Sequence, residues 1–274
     1  MAIGPFTLTR RKSPLLVSMP HCGTHLPPAM KSRLTPAALS LPDTDWHIPE
    51  LYDFLEGIEA SVLTATHSRY YIDLNRDPDS KSLYPGADNT ELCPTTTFAQ
   101  EPVYRSGQAP NAPEIQERRE AVWRPYHAAL AEELAGLRAR HGYALLWDAH
   151  SIKSEVPRFF EGRLPDLNLG TGGGTSAHPE LLDLLGAVAR DAEESLGFTH
   201  AVNGRFKGGY ITRYHGRPRM GVHAVQLELS QITYMDEAPP YGFREDLAEK
   251  IRPVLAGLLQ AMLSWAEMEA VPEA

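Results

Sequence analysis

The sequence predicts an α/β fold, with a mostly parallel or mixed central sheet flanked by helices. Two observations carry this. Short apolar runs of strand length alternate along the chain with amphipathic stretches of helical length, the pattern that lays helices on the faces of a sheet. Two of those runs, LLVSMP at 15–20 and YALLW at 143–147, are apolar at nearly every position, as central strands covered on both faces must be. With 274 residues, no internal repeat and no low-complexity linker, residues 1–274 are expected to form a single elaborated domain.

The elements follow in order. Leu15–Pro20 reads as a buried strand with His21 just past its end. After a loop, Ile48, Leu51, Tyr52 and Leu55 fall at helical spacing. Asp43 or Asp45 is placed to cap that helix, and Pro49 falls in its first turn. SVLTAT (61–66) and RYYIDL (69–74) are rich in branched and aromatic residues and read as strands. Residues 78–113 contain six prolines and no periodic pattern. So long an irregular segment points to a functional loop, and a lid is the expectation.

From Pro113, a favourable first helical residue, a helix should run to Gly142 with an interruption at Pro125. YALLWDAHS follows as a central strand delivering Asp148 and His150 to its C-terminal end. Residues 179–196 read as a helix. FTHAV, GYITRY and VHAVQLEL supply further strands, and 243–268 reads as a final amphipathic helix. Ligands of such sheets bind beyond the carboxyl ends of the strands, where His21, His150 and Glu228 would project.

Composition narrows the function. The chain is 42% hydrophobic and 22% charged, ordinary globular values that exclude disorder and fibres. Its formal net charge of −9 has the wrong sign for a polyanion binder, so no nucleic-acid partner is expected. No run approaches the roughly 18–20 apolar residues of a membrane span, and the first residues carry no secretory apolar core. Two cysteines make no disulfide framework. The expected address is the cytoplasm. Against the acidic total, Arg163, Arg205, Arg213, Arg217 and Arg219 fall close together in the second half of the chain.

Three constellations could carry chemistry. The first is a metal site at strand ends, drawn from His21, the Asp43-Thr44-Asp45 loop and Asp148-Ala149-His150. A hydrolytic zinc takes about three protein ligands and keeps one position open. Asp148 and His150, at i and i+2 on a strand, share a side, so one can ligate while the other orients. A lone His or Asp is usually only a satisfied polar group; His after each of two buried strands is what raises the metal reading.

The second is Glu228. Alternation puts Val222, Ala224, Gln226 and Glu228 on one face of their strand. A carboxylate there is costly to bury without a partner. Either it forms a salt bridge with a local arginine, or it moves a proton beside an activated water. The third is the arginine set, Arg76, Arg205 and Arg213, whose planar forks suit carboxylates. Arg217 and Arg219 read as surface charges. Two other signals carry less. Gly170–Thr175 lacks the Gly-Lys-Ser/Thr ending of a phosphate loop and reads as a tight turn. Cys22, between His21 and Gly23, has no Cys–His–Asp pattern to make it a nucleophile.

Taken together, MPHCGTHLP, LPDTDWHIPELYDF, SRYYIDLNRDP, LLWDAHSIKS, GRLPDLNLGT, NGRFKGGYITR and GVHAVQLELSQ closely resemble the N-formylglutamate amidohydrolase family, over roughly residues 5–265. The resemblance implies a zinc-carboxypeptidase-like fold and hydrolysis of N-formyl-L-glutamate to glutamate and formate, the end of a histidine degradation route. A related zinc amidohydrolase acting on another N-acyl amino acid is the alternative. Carried over by position, it implies His21 and His150 as zinc ligands, with Asp45 chosen over Asp43 as the third. Asp148 becomes the support of His150 and Glu228 the general base and acid. Arg76, Arg205 and Arg213 become the candidates for the substrate carboxylates. Many members have Ser or another small residue after the first His, and Cys22 departs from that.

Overall fold

The computed structural model describes residues 3–81 and 88–269. Seven strands form one mixed sheet among these residues: β1 (Phe6–Thr9), β2 (Leu15–Met19), β3 (Ser61–Ala65), β4 (Ala144–Ile152), β5 (Leu167–Gly170), β6 (His200–Val202) and β7 (Val222–Ser230). Their order is β1-β3-β2-β4-β7-β5-β6. The centre, β3-β2-β4-β7, is parallel. β1 and β5 run antiparallel to their inner neighbours.

The helices are α1 (Pro28–Lys31), α2 (Pro36–Leu39), α3 (Ile48–Leu51), α4 (Ala112–Arg118), α5 (Arg124–His141), α6 (Pro179–Leu196), α7 (Tyr210–His215) and α8 (Glu245–Glu269). One face of the sheet presents Val17, Leu145, Trp147, Val225 and Leu227 to apolar residues of α6 and α8, such as Leu185, Leu255 and Leu259. The opposite face presents Leu16, Ala144, Leu146 and Ala224 to Tyr126, Leu130 and Leu134 of α5. On that second face the apolar layer stops half-way up. The next residues facing the same way are Asp148 and His150 of β4, in register with Gln226 and Glu228 of β7. Among the described residues, no helix is long and apolar enough to cross a membrane.

Several elements differ from expectation, each for a physical reason. The helix near 48–55 is only α3 followed by a 3-10 turn at Asp53–Glu56, and Pro49 lies in its first turn. Neither Asp43 nor Asp45 caps it. His47 occupies the cap in a left-handed conformation, while the two aspartates turn inward to buried partners. RYYIDL is not a strand. Its backbone turns, with Tyr71 N–H donating to Ser68 O, and buried Arg69 pairs with Asp73 across four residues at 3.0 Å. Satisfying that charge pair outweighs β propensity.

GYITRY forms α7 rather than a strand. Asn75 Oδ1 accepts the Ile211 N–H at 2.8 Å, supplying a partner to a first-turn amide that a helix leaves open. Gly209 packs against Asn75 so closely that a Cβ would lie 2.3 Å from Nδ2. The helix expected from Pro113 starts one residue earlier behind a capping box of Asn111 and Glu114, and ends at Gly142 in a left-handed cap. Its interruption is a π-helical turn, Arg119–Trp123, just ahead of Pro125, where the proline ring and its missing N–H disturb the ladder.

Candidate active site

Three segments bring the site together. His21 leaves the end of β2, and its carbonyl accepts the Asp45 N–H at 3.1 Å. Asp45 Oδ2 accepts the Ser151 N–H of β4 at 3.2 Å, so the 43–46 loop is tied to both central strands. Asp148 and His150 lie inside β4, not beyond its end, because β7 pairs with β4 as far as Ile152.

The δ nitrogens of the two histidines and one oxygen of Asp45 converge. His150 Nδ1 is 3.1 Å from His21 Nδ1 and 3.1 Å from Asp45 Oδ2. His21 Nδ1 is 3.7 Å from the same oxygen. The far side of each ring faces a carboxylate: His21 Nε2 meets Asp73 Oδ1 at 2.8 Å, and His150 Nε2 meets Asp148 Oδ2 at 2.9 Å. Those carboxylates take the Nε2 protons, which leaves both Nδ1 lone pairs and a carboxylate oxygen pointing at one another. With both rings neutral the cluster is repulsive until a cation, a proton on His150 or a metal ion, lies between the atoms. All three residues are buried, and Asp45 Oδ1 accepts no hydrogen bond among the described residues.

The charges respond accordingly. Burial alone would discharge His150, but Asp148 and Asp45 outweigh it and favour positive charge there. Burial would raise Asp45, yet the bonds to His150 and His21 hold its carboxyl well below the usual range. Asp73 is likewise held low against burial by His21, Arg76 and Arg69. Two nitrogens and one carboxylate oxygen, each ring oriented by a further carboxylate, form a donor set suited to a catalytic divalent ion with an open position.

Glu228 lines the same cavity as His21 and His150. Burial pushes its carboxyl up to about 7, against the pull of nearby His150. Gln226 Nε2 donates to Glu228 Oε2 at 3.2 Å. Cys22 beside His21 is not activated: burial, with Asp45 nearby, pushes its thiol up to about 12, and its Sγ donates to Met19 O. Both cysteines are free. The Gly170–Thr175 segment closes on itself, with Gly174, Thr175 and Ser176 N–H groups returning to Thr171 O.

The family is decided by most of the chain. Residues 13–235 match the N-formylglutamate amidohydrolase family model. The chain belongs to this family. It is 56% identical over 256 residues to an N-formylglutamate deformylase of Pseudomonas aeruginosa, covering 93% of this chain and 95% of that protein. A deformylase of Pseudomonas putida is 53% identical over 252 residues, covering 92% and 93%. The crystal structure of an N-formylglutamate amidohydrolase from Ralstonia eutropha superposes with a TM-score of 0.79 at 28% identity, covering 97% of this chain and 98% of that one. A gene product of Agrobacterium tumefaciens shares the fold, with a TM-score of 0.72 at 18% identity, over 96% of both chains.

Within this N-formylglutamate amidohydrolase fold, Arg76 and Arg205 line the cavity beside Glu228. Arg76 is braced by Thr90 and by the Asn75 carbonyl, and Arg205 Nε donates to Phe159 O. Arg213 is not among the lining residues; its Nε donates to Gly208 O at 2.8 Å. Asp43, the aspartate set aside for Asp45, accepts from Tyr70 Oη and Phe98 N–H instead of meeting the histidines. Of the segment expected to form a lid, residues 82–87 lie outside the described residues. Its described part anchors Leu92, Cys93, Val103 and Tyr104 in the interior and sets Asn89 and Phe98 on the cavity wall.

Four further residues belong to the site, Arg69, Asp73, Asn75 and Gln226, to which the sequence reading gave no role. Arg69 joins Asp73 Oδ2 at 3.0 Å and approaches Asp45 Oδ1 at 3.5 Å. The available signal was Asp73 and Asn75 standing as polar residues in an otherwise apolar stretch, inside the family-like segment SRYYIDLNRDP.

Proposed function

We propose that this chain is a zinc-dependent deformylase that hydrolyses N-formyl-L-glutamate to L-glutamate and formate. In this reading it completes a histidine degradation route in the cytoplasm. The observation that carries it is the convergence of His21 Nδ1, His150 Nδ1 and Asp45 Oδ2, with the two histidines lining a cavity shared with Glu228, Arg76 and Arg205. The identity with the two Pseudomonas deformylases supports the substrate.

His21, Asp45 and His150 would hold the ion, and the nitrogen-rich donor set favours zinc over magnesium or calcium. When bound, such an ion polarises the formyl carbonyl and lowers the pKa of a coordinated water toward about 7. The protein supplies the rest. Asp73 and Asp148 fix the imidazole tautomers by accepting the Nε2 protons. Glu228, buried and poised near neutrality, accepts the proton of the attacking water and returns it to the departing amine nitrogen. Arg76 and Arg205 meet the two carboxylates from the cavity wall, and Arg213 is the third candidate from one turn of α7 away. An arginine beside the reacting carbonyl also stabilises the developing oxyanion.

The test is formate release from N-formyl-L-glutamate, compared with turnover of the N-acetyl and N-succinyl analogues, with and without a chelator. Release that prefers the formyl substrate, stops on chelation and returns with zinc is the expected result. A preference for an acyl analogue would favour the related amidohydrolase instead. No formate and no bound metal would leave only a binding protein.

A further inference from the structure

We propose that Gln226 is the positioning residue for Glu228, and that its amide joins Glu228 to the 205–209 segment on the cavity wall. This rests on the deformylase reading for the role of Glu228, but the contact itself does not.

The amide is fixed at both ends. Gly209 N–H can only donate, so the Gln226 atom it meets at 2.7 Å is the oxygen, Oε1. The Gln226 nitrogen is therefore turned toward Glu228, and Nε2 donates to Oε2 at 3.2 Å. Asn75 supports the same orientation independently. Its Oδ1 is set by the Ile211 N–H at 2.8 Å, which turns its Nδ2 toward Gln226 Oε1 at 3.4 Å. Gln226 and Asn75 are both buried, where such bonds are stronger than in water.

Geometry makes the arrangement purposeful. Gln226 and Glu228 stand two residues apart on the same face of β7, opposite Asp148 and His150 of β4. Glu228 must aim one oxygen at the reacting water, and an amide donating to the other oxygen fixes its side-chain torsions. Gln226 Oε1 meanwhile holds Gly209, which lines the cavity with Arg205. One side chain thus sets the distance between the proton-transfer group and the wall that receives the substrate.

Two substitutions separate these duties. Gln226→Glu keeps an acceptor for Gly209 N–H but removes the donor to Glu228. It is expected to lower kcat by about ten- to a hundredfold, with KM nearly unchanged and bound metal at the wild-type level. Gln226→Met removes both bonds and is expected to lower kcat and raise KM together. Unchanged kcat in Gln226→Glu, or loss of metal in it, overturns the assignment.

A stability cycle reads the contact without the reaction. Gln226→Glu alone should lower the Tm by setting two carboxyl groups together. Adding Glu228→Gln should restore it, because amide and acid then merely exchange places. Strictly additive Tm changes would overturn the contact. Wild-type protein that releases no formate would overturn the deformylase reading only, and the cycle would still decide the Gln226–Glu228 contact.

Discussion

The lower half of β4, Ala144–Trp147, and its upper half, Asp148–Ile152, are equally sealed from solvent, yet they are held in place differently. Leu145, Leu146 and Trp147 are stabilised by burial itself, between α5 on one side and α6 and α8 on the other. Asp148 and His150 gain nothing from burial. They are tolerated because His150 bonds Asp148 and Asp45, and Asn75 donates to Asp148, while Asp73, Gln226 and Arg69 in turn hold Asn75 and Asp45. The same division runs along β7, from Ala224 and Val225 to Gln226 and Glu228. The lower layer stabilises the fold, and that stability lets the upper layer keep polar groups placed for chemistry.

Substitutions should divide along the same line. Leu146→Ala, in the lower half, is expected to cost about 2–5 kcal/mol of unfolding free energy, measured by denaturant titration, with kcat per folded molecule unchanged. A large kcat loss there would break the distinction. Asp148→Asn, in the upper half, leaves the shape but removes the carboxylate that orients His150. Metal affinity should fall about 10–100-fold, measured by competition with a chromogenic chelator, while the Tm of the metal-free protein changes little. Equal affinity would show that Asp148 does not orient the ligand.

A smaller effect tests the border between the layers. His127 and His215 stack there in the interior beside Trp123 and Tyr210, and His127 Nε2 donates to Leu74 O. Burial, aided by His215, pushes His127 down to about 3, and burial pushes His215 down to about 4 against the pull of Asp148. Both are neutral in the folded chain at neutral pH. Between about pH 6.5 and pH 4 the unfolded chain takes up protons that the folded chain refuses, so stability falls as pH falls through that window. Replacing His127 with Gln should flatten this dependence of Tm on pH. An unaltered profile would remove the pair from the account of acid sensitivity.

Much of this was legible in the sequence where one physical signal dominated. The apolar runs of β2 and β4, the alternation of β7 and the glycine that ends α5 left little choice of structure. His21, His150 and Glu228 stood out because they break apolar runs at strand ends. The errors fell where tertiary partners outweigh local preference. RYYIDL and GYITRY carry the aromatic and branched residues of strands, but one turns to pair Arg69 with Asp73 and the other coils against Asn75. Both segments face the site. Arg69, Asp73, Asn75 and Gln226 stand within the family-like segments SRYYIDLNRDP and GVHAVQLELSQ, but only folding reveals that they share one cluster.

The most direct measurement is formate turnover of Glu228→Gln together with metal content per chain. Glu228 is expected to move the proton without holding the ion, so turnover should fall by about 10²–10⁴-fold while metal stays at the wild-type level. Wild-type turnover in that variant, or loss of its metal, would contradict the division of labour between the proton-transfer carboxylate and the His21–Asp45–His150 cluster.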